Sequence, residues 1–215
     1  MPSELKSMPE IMKRVKAVHD FRMASKKKAT RKFAEYSARF MELRQPKTSY
    51  ILIPRHSSEN RRYIPLGFMS ANVIYGDANN MLPDATLYHF GVLTSNVHMA
   101  WTRCVCGYHG TSYRYSVNIV YNNFPWCKPS SEQRERIERT ARTILDARNK
   151  YPDCSLADLY DELTMPSELR KAHQQNDLAV MNARFRQEDN GKRMCSRVDE
   201  TLSETHFRKM TEKVA

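Results

Sequence analysis

Tyr113-Arg114-Tyr115-Ser116-Val117-Asn118-Ile119-Val120-Tyr121, then Asn122-Asn123-Phe124-Pro125-Trp126, then Lys128-Pro129-Ser130-Ser131-Glu132-Gln133, marks the change of architecture along this chain. The first part alternates in the manner of a strand, and the spacing predicts one over Tyr113 to Val120. Pro125 cannot donate to a ladder, so the strand is expected to end there, with Trp126 anchoring the corner by burial. Ser130 and Gln133 stand three apart, the spacing of a capping box, in which each side chain satisfies a backbone N–H of a first helical turn. Mixed sheet therefore lies before the corner and helix after it.

Downstream, Ile137, Ala141, Ile144 and Leu145 form one apolar stripe, which Pro152 stops. Leu156, Leu159 and Leu163 predict a short helix, and Met165-Pro166-Ser167 opens another. Residues 187–215 are polar and weakly periodic, and are expected to form a loosely docked tail. Upstream, Val97, Ala100, Trp101 and Cys104 fall at helical spacing and predict a buried helix. Tyr50 to Pro54, Tyr63 to Leu66 and Asn72 to Tyr75 read as short strands, the second weakened by Pro65. Asp84 to Phe90 is either strand or the entry to a helix. Residues 9–45 read as helical, with Ile11, Val15, Val18 and Arg22 on one face and Phe33, Ser37, Phe40 and Met41 on another. A break is expected at the basic patch between Ser25 and Lys32, and Gln45-Pro46 closes the region.

The expected fold is α/β in the α+β sense: a helical basic linker over 1–45, a small mixed-sheet domain over 46–128, a helical domain over 129–186 and a polar tail over 187–215. The 215 residues contain no apolar run long enough for a membrane helix. The N-terminus lacks the apolar core of a signal peptide. Five cysteines without framework spacing read as reduced thiols in a cytosolic, bacterial-type protein. Cys104, Cys106, His109 and Cys127 lack the usual spacing of a structural zinc site, and the three cysteines are read as core thiols.

The net charge of +11 is unevenly placed. Residues 1–62 hold 16 Lys and Arg against 6 Asp and Glu, while residues 129–215 hold 16 of each. A basic third joined to a neutral remainder suits a polyanionic partner; the alternative is a solvated helix face. Lys26, Lys27, Lys28, Arg31 and Lys32 are candidates for phosphate contact, with Lys47 and Arg114 as further ones. Between Arg55 and Arg62 stand Arg, Glu and Asn, the residue types that pair with guanine, cytosine and adenine edges. Arg55, Ser57, Ser58, Glu59, Asn60, Arg61 and Arg62 are thus candidate base readers, against the alternative of a solvated hairpin loop.

Asn122 to Trp126 invites comparison with the Asn-Pro-Pro-Tyr loop of amino-methylating DNA methyltransferases. That chemistry needs an Asn or Asp oxygen on a rigid Pro-Pro turn and a ring stacked on a flipped base. Here Asn123 and Phe124 replace the turn, and no glycine-rich cofactor loop precedes it. Pro152-Asp153 with Asp158, Asp161 and Glu162 lacks the Glu-x-Lys strand of a metal-dependent nuclease. No catalytic residue and no metal site is assigned.

Several motifs, in order, resemble the C-terminal part of MmeI-like restriction–modification proteins. They are Arg22-Met23-Ala24-Ser25-Lys26, Arg44-Gln45-Pro46-Lys47, Ile53-Pro54-Arg55, Tyr88-His89-Phe90-Gly91-Val92-Leu93-Thr94-Ser95, His98-Met99-Ala100-Trp101, Tyr113-Arg114-Tyr115-Ser116, Tyr121 to Trp126, Ala157-Asp158-Leu159-Tyr160 and Leu163-Thr164-Met165-Pro166. The resemblance covers residues 10–182. It implies a double-stranded DNA target-recognition domain with a helical C-terminal domain, not catalytic by itself. The parent enzymes are adenine methyltransferases and endonucleases whose catalytic and S-adenosylmethionine motifs lie upstream. It adds Ser95, Asn96 and His98 to the candidate base readers. It implies no cofactor in this chain, and a methyltransferase or endonuclease domain or subunit as a second partner. After Asn182 the expected aromatic and glycine continuation gives way to Arg184-Phe185-Arg186, which suggests a truncated or degenerate gene product. The alternative is an interaction module docking to a separate methyltransferase or nuclease subunit.

Overall fold

A computed structural model describes residues 3–42 and 44–185, and the expectation for a polar tail over 187–215 lies outside them. The chain divides at Gln45 and Pro46 into two compact units.

The first unit is helical: α1 (Ser3–Lys6), α2 (Pro9–Met23), α3 (Lys28–Lys32) and a 3-10 turn (Phe33–Tyr36). Pro9 suits a first helical position, where its missing N–H costs nothing. The expected face of α2 buries only in part: Arg22 is buried and Val15 half-buried, while Ile11 and Val18 are exposed. Its guanidinium lies over the Phe33 ring, 5.4 Å from the centroid. It donates to the carbonyls of Phe33 (3.2 Å), Tyr36 (3.0 Å) and Arg39 (2.8 Å). A short unit with few apolar residues is thus held by one side chain that satisfies helix-end carbonyls.

The second unit contains two three-stranded antiparallel sheets, in the orders β3-β1-β4 and β2-β6-β5. Here β1 is Tyr50–Pro54, β2 His56–Ser57, β3 Gly67–Met69, β4 Asn79–Pro83, β5 Gly107–His109 and β6 Ser112–Arg114. In the first sheet Ile51 faces Phe68 on one side and Leu82 on the other. The chain leaves that sheet at Pro54 and enters the second at His56, so Arg55 stands at the seam.

Three expected strands differ. Tyr63 to Leu66 joins no ladder, although Tyr63, Ile64 and Leu66 are buried. Asn72 to Tyr75 forms the turn between β3 and β4, with Val73 and Ile74 exposed. The third, Tyr113 to Val120, pairs only through Arg114 because its neighbours are two and three residues long. The chain then closes into a π turn (Val117–Tyr121), whose Val120 carbonyl accepts from Trp101 Nε1 at 2.8 Å.

The helices are α4 (Leu87–Leu93), α5 (Asn96–Val105), α6 (Ser131–Asn149), α7 (Leu156–Leu159) and α8 (Ser167–Phe185). Asp84 to Phe90 is therefore a helix entry. α5 stands where expected but turns another face inward: His98, Met99 and Thr102 are buried, while Ala100 and Cys104 are exposed. Cys106 is buried and Cys127 half-buried, but Cys104 is exposed, which corrects its reading as a core thiol. Leu163 is 95% exposed and lies outside α7. The capping box forms as expected: Ser130 N–H donates to Gln133 Oε1 (2.9 Å) and Gln133 N–H to Ser130 Oγ (3.2 Å).

One apolar cluster joins Ile51 and Ile53 of the first sheet, Phe90 and Leu93 of α4, Ile144 of α6 and Leu169 of α8. Sheets and helices share this core. Between α4 and α6 the packing is tight at Gly91, where an added Cβ would stand 2.7 Å from Ile137 Cγ2. No helix among the described residues is long and apolar enough to cross a membrane.

Candidate nucleic-acid interface

Strand pairing builds the polar surface of the second sheet. β2 and β6 place His56 opposite Arg114 and Ser57 opposite Tyr113. Directly opposed residues share a sheet face. Ser57 and Tyr113 are buried, so His56 and Arg114 look outward, and both are exposed. β5 places His109 opposite Ser112, and the rings of His56 and His109 meet edge to face at 5.4 Å. Arg55 is exposed beside this face, with its backbone fixed: its N–H donates to the Ala78 carbonyl (3.0 Å) and its carbonyl accepts from Tyr115 N–H (2.7 Å).

The loop after β2 is a compact turn. Ser58 Oγ accepts from Asn60 N–H (3.2 Å), and the Ser58 carbonyl accepts from Arg61 N–H (3.1 Å). Glu59 and Asn60 are exposed; Ser58, Arg61 and Arg62 are half-buried. Glu59, Asn60, Arg61 and Arg62 form one wall of an open cleft of about 370 Å³, faced by Asn96 and Arg103 of α5 and by Glu162.

Three candidates lie elsewhere. Ser57, Ser95 and His98 are 3%, 0% and 1% exposed. Ser95 caps α5, accepting from His98 N–H at 3.3 Å and donating to the Val92 carbonyl at 2.7 Å. His98 Nε2 bonds the Tyr115 hydroxyl at 2.9 Å, and its ring meets the Phe124 edge at 4.6 Å. Burial pushes its pKa down to about 3, so it packs as a neutral ring. All three side chains are interior, with Ser95 capping α5 and the His98 ring packed against Phe124. Asn96 stays half-buried at the cleft.

In the first unit, Lys26, Lys27, Lys28, Arg31 and Lys32 are all exposed around the turn between α2 and α3. Arg31 donates to the carbonyls of Ser25 (2.7 Å) and Lys26 (3.0 Å), which shapes the turn that carries the lysines. Lys47 is exposed at the start of the second unit.

Asn122 to Trp126 is a corner. Asn123 Nδ2 donates to the carbonyls of Asn118 (2.8 Å) and Ile119 (3.0 Å), closing the π turn. Phe124 is the buried ring, and Trp126 is half-buried within a cluster that includes Tyr88, His89 and Tyr121. Arg184 donates to the Pro125 carbonyl at 2.6 Å and lies 5.8 Å from the Phe124 centroid. Among the described residues no group of three or more His, Cys, Asp or Glu side chains could hold a metal ion.

Sequence reasoning missed His109, whose ring meets that of His56. β6 pairs with both β2 and β5 and so brings His56 and His109 together, across a separation that no local spacing reveals. Arg103 was also missed, because it reaches the cleft from a helix whose buried face differs from the one its spacing predicts.

The chain matches the family "MmeI, target recognition domain" over residues 1–128 and the family "MmeI, C-terminal domain" over residues 129–214. It is 37% identical over 180 residues to DNA methyltransferase A of Bacillus subtilis (strain 168), covering 84% of this chain and 20% of that protein. It is also similar to the solved structure of the Type IIL restriction-modification enzyme MmeI in complex with DNA. That match has a TM-score of 0.80 and 48% identity over 84% of this chain and 24% of that one. The chain thus spans a quarter or less of the length of these relatives. The C-terminal match runs on to residue 214, which corrects the expectation that the likeness ends after Asn182. This chain belongs to the MmeI family, and joins that family's target recognition domain to its C-terminal domain.

Proposed function

We propose that this chain reads the sequence of double-stranded DNA, as the target-recognition part of a restriction–modification methyltransferase. The observation that carries the reading is the pairing of His56 with Arg114, which puts a rigid polar face beside the Arg55 seam and the Ser58 to Arg62 turn. Base readout needs donors and acceptors whose backbone does not yield, and both sides of this surface are hydrogen-bonded into the fold. Membership of the MmeI target recognition family supports the same reading. The relative solved with DNA is 48% identical across the matched region.

In this reading Arg55, Ser58, Glu59, Asn60, Arg61, Arg62, Asn96 and Arg114 contact base edges. The exposed cluster from Lys26 to Lys32, with Lys47, contacts phosphates, which position a protein without reading sequence. Methyl transfer and its S-adenosylmethionine belong to another domain of a longer protein, or to a separate subunit.

The test is selection from a random duplex library with the 215-residue chain, followed by binding of the enriched duplex across a salt series. The expected result is one enriched sequence whose preference over a scrambled duplex survives as salt rises, while non-specific binding falls steeply. No enriched sequence, or no duplex binding at low salt, overturns the reading. Sustained methyl transfer by this chain alone would refute the division of labour.

A further inference from the structure

The two walls of the cleft meet on one buried carboxylate. Asp177 of α8 is 6% exposed. Its Oδ2 accepts from the Tyr63 hydroxyl at 2.8 Å, and its Oδ1 accepts from the Asn96 backbone N–H at 2.7 Å. Tyr63 directly follows Arg62 at the end of one wall, and Asn96 begins the other. The Tyr63 ring also stacks on His173, one turn before Asp177, with centroids 4.1 Å apart and planes at 21°.

The support continues behind that stack. His173 Nε2 bonds the Tyr160 hydroxyl at 2.7 Å. Arg148 donates to that hydroxyl through Nε at 2.8 Å and through Nη2, and its Nη1 donates to the Leu66 carbonyl at 2.6 Å. The segment leaving the polar turn, which belongs to no strand, is therefore pinned at Tyr63 and at Leu66 from the C-terminal helices. Burial disfavours the ionised Asp177 and raises its pKa, while the bonds from Asn96 and Tyr63 and the Arg62 charge oppose that shift. Keeping a buried carboxylate is costly where an apolar side chain would pack. An amide would have to reverse the bond to Tyr63, its NH₂ donating to the hydroxyl oxygen, and would lose the charge that strengthens both contacts.

We propose that Asp177 is a positioning residue for DNA readout: its carboxylate sets the distance between the Arg61–Arg62 wall and the Asn96–Arg103 wall, and so the register in which both meet the base edges. This rests on the recognition reading above.

The experiment compares the full chain with Tyr63→Phe, Asp177→Asn and the double variant. It measures affinity for the enriched duplex and for a scrambled duplex of equal length, each across a salt series. The expected result is a fall of about tenfold in the preference ratio for each single variant, the size of one base-pair discrimination of about 1.4 kcal/mol. The salt slope should not change, because every phosphate-binding cation stays in place. The double variant should fall no further than the worse single one, since both act through one bond. Tyr63→Phe keeps the ring stack on His173 and decides the matter alone where Asp177→Asn does not fold. A wild-type preference ratio in folded variants, or an equal drop in affinity for both duplexes, overturns this proposal and leaves the recognition reading standing. An unsubstituted chain with no preferred duplex overturns both.

Discussion

Asn176 donates from Nδ2 to the Gly91 carbonyl at 2.7 Å, while its Oδ1 accepts from Thr140 at 3.0 Å. One side chain of α8 thus ties α4 to α6. The packing at Gly91 depends on the missing side chain. A Cβ on Gly91 would stand 2.7 Å from Ile137 Cγ2, 3.1 Å from Asn176 Oδ1 and 3.2 Å from Ala141 Cβ. Ile137 Cγ2 is bonded to its own Cβ, so it cannot swing away as the end of a long chain could.

Gly91→Ala is accordingly expected to destabilise the fold. Alanine gains about 1 kcal/mol of helix propensity over glycine, and overpacking a close-packed core costs roughly 1–3 kcal/mol. The approach of 2.7 Å to a fixed methyl places this case at the upper end. The net destabilisation should be on the order of 1–2 kcal/mol, read as a lower urea midpoint with an unchanged m value. A midpoint at or above the parent's would show that α4 can move off α6.

Stability should fall as the pH drops from about 6.5. His98 is buried and its folded pKa is pushed down to about 3; His173 is likewise held well below its ordinary value, first by burial and then by the Arg148 charge. Both are neutral when folded. The unfolded chain takes up protons on both below about pH 6.5, so each withdraws up to about 1.4 kcal/mol per pH unit below that point. For His98 the window runs down to about pH 3. Urea titrations at about pH 7 and about pH 5.5, on either side of the unfolded histidine pKa, measure the slope. His98→Gln keeps a polar end near Tyr115 without the titration, and should flatten that slope.

Arg22→Lys should loosen the first unit. The guanidinium makes three bonds to carbonyl oxygens, those of Phe33, Tyr36 and Arg39. A single ammonium cannot reproduce this planar fork. Removing charged-donor bonds to half-buried carbonyls should cost roughly 1–3 kcal/mol. Hydrogen exchange of the α2 and 3-10 amides should accelerate, while the amides of α6 and α8 keep their protection. Uniform acceleration would contradict the division into two units.

Phosphate and base contacts should separate by their salt and sequence dependence. Replacing Lys26, Lys27 and Lys28 together by Gln should weaken all duplexes alike and reduce the salt slope by about 0.9 for each phosphate left unneutralised. Arg114→Gln should instead lower preference for the enriched duplex by roughly 1–3 kcal/mol. Fluorescence anisotropy on paired duplexes distinguishes the two, and a sequence-selective effect of the lysines would reverse the assignment.

Local chemistry made the helical part legible. Ser130 and Gln133 lie within one turn, so their box depends on nothing distant, and the Ile137, Ala141 and Ile144 stripe follows from helical period alone. The strands were legible only at β1. Tyr113 to Val120 alternates like a strand, yet a strand exists only as far as it has a partner, and β2 and β5 are too short to provide one. The candidate site was legible in residue type but not in exposure. Ser57, Ser95 and His98 look polar in sequence and are interior in space.

By itself the sequence determined where the long helix after Ser130 begins, where the basic charge lies, and to which family the ordered motifs point, because each depends on residues near one another in the chain. Tertiary structure alone decided which polar side chains face outward and what holds them there. His56 meets Arg114 through a strand pair, and Tyr63 meets Asp177 across 114 residues, by hydrogen bonds that close only when sheet and helices share one core.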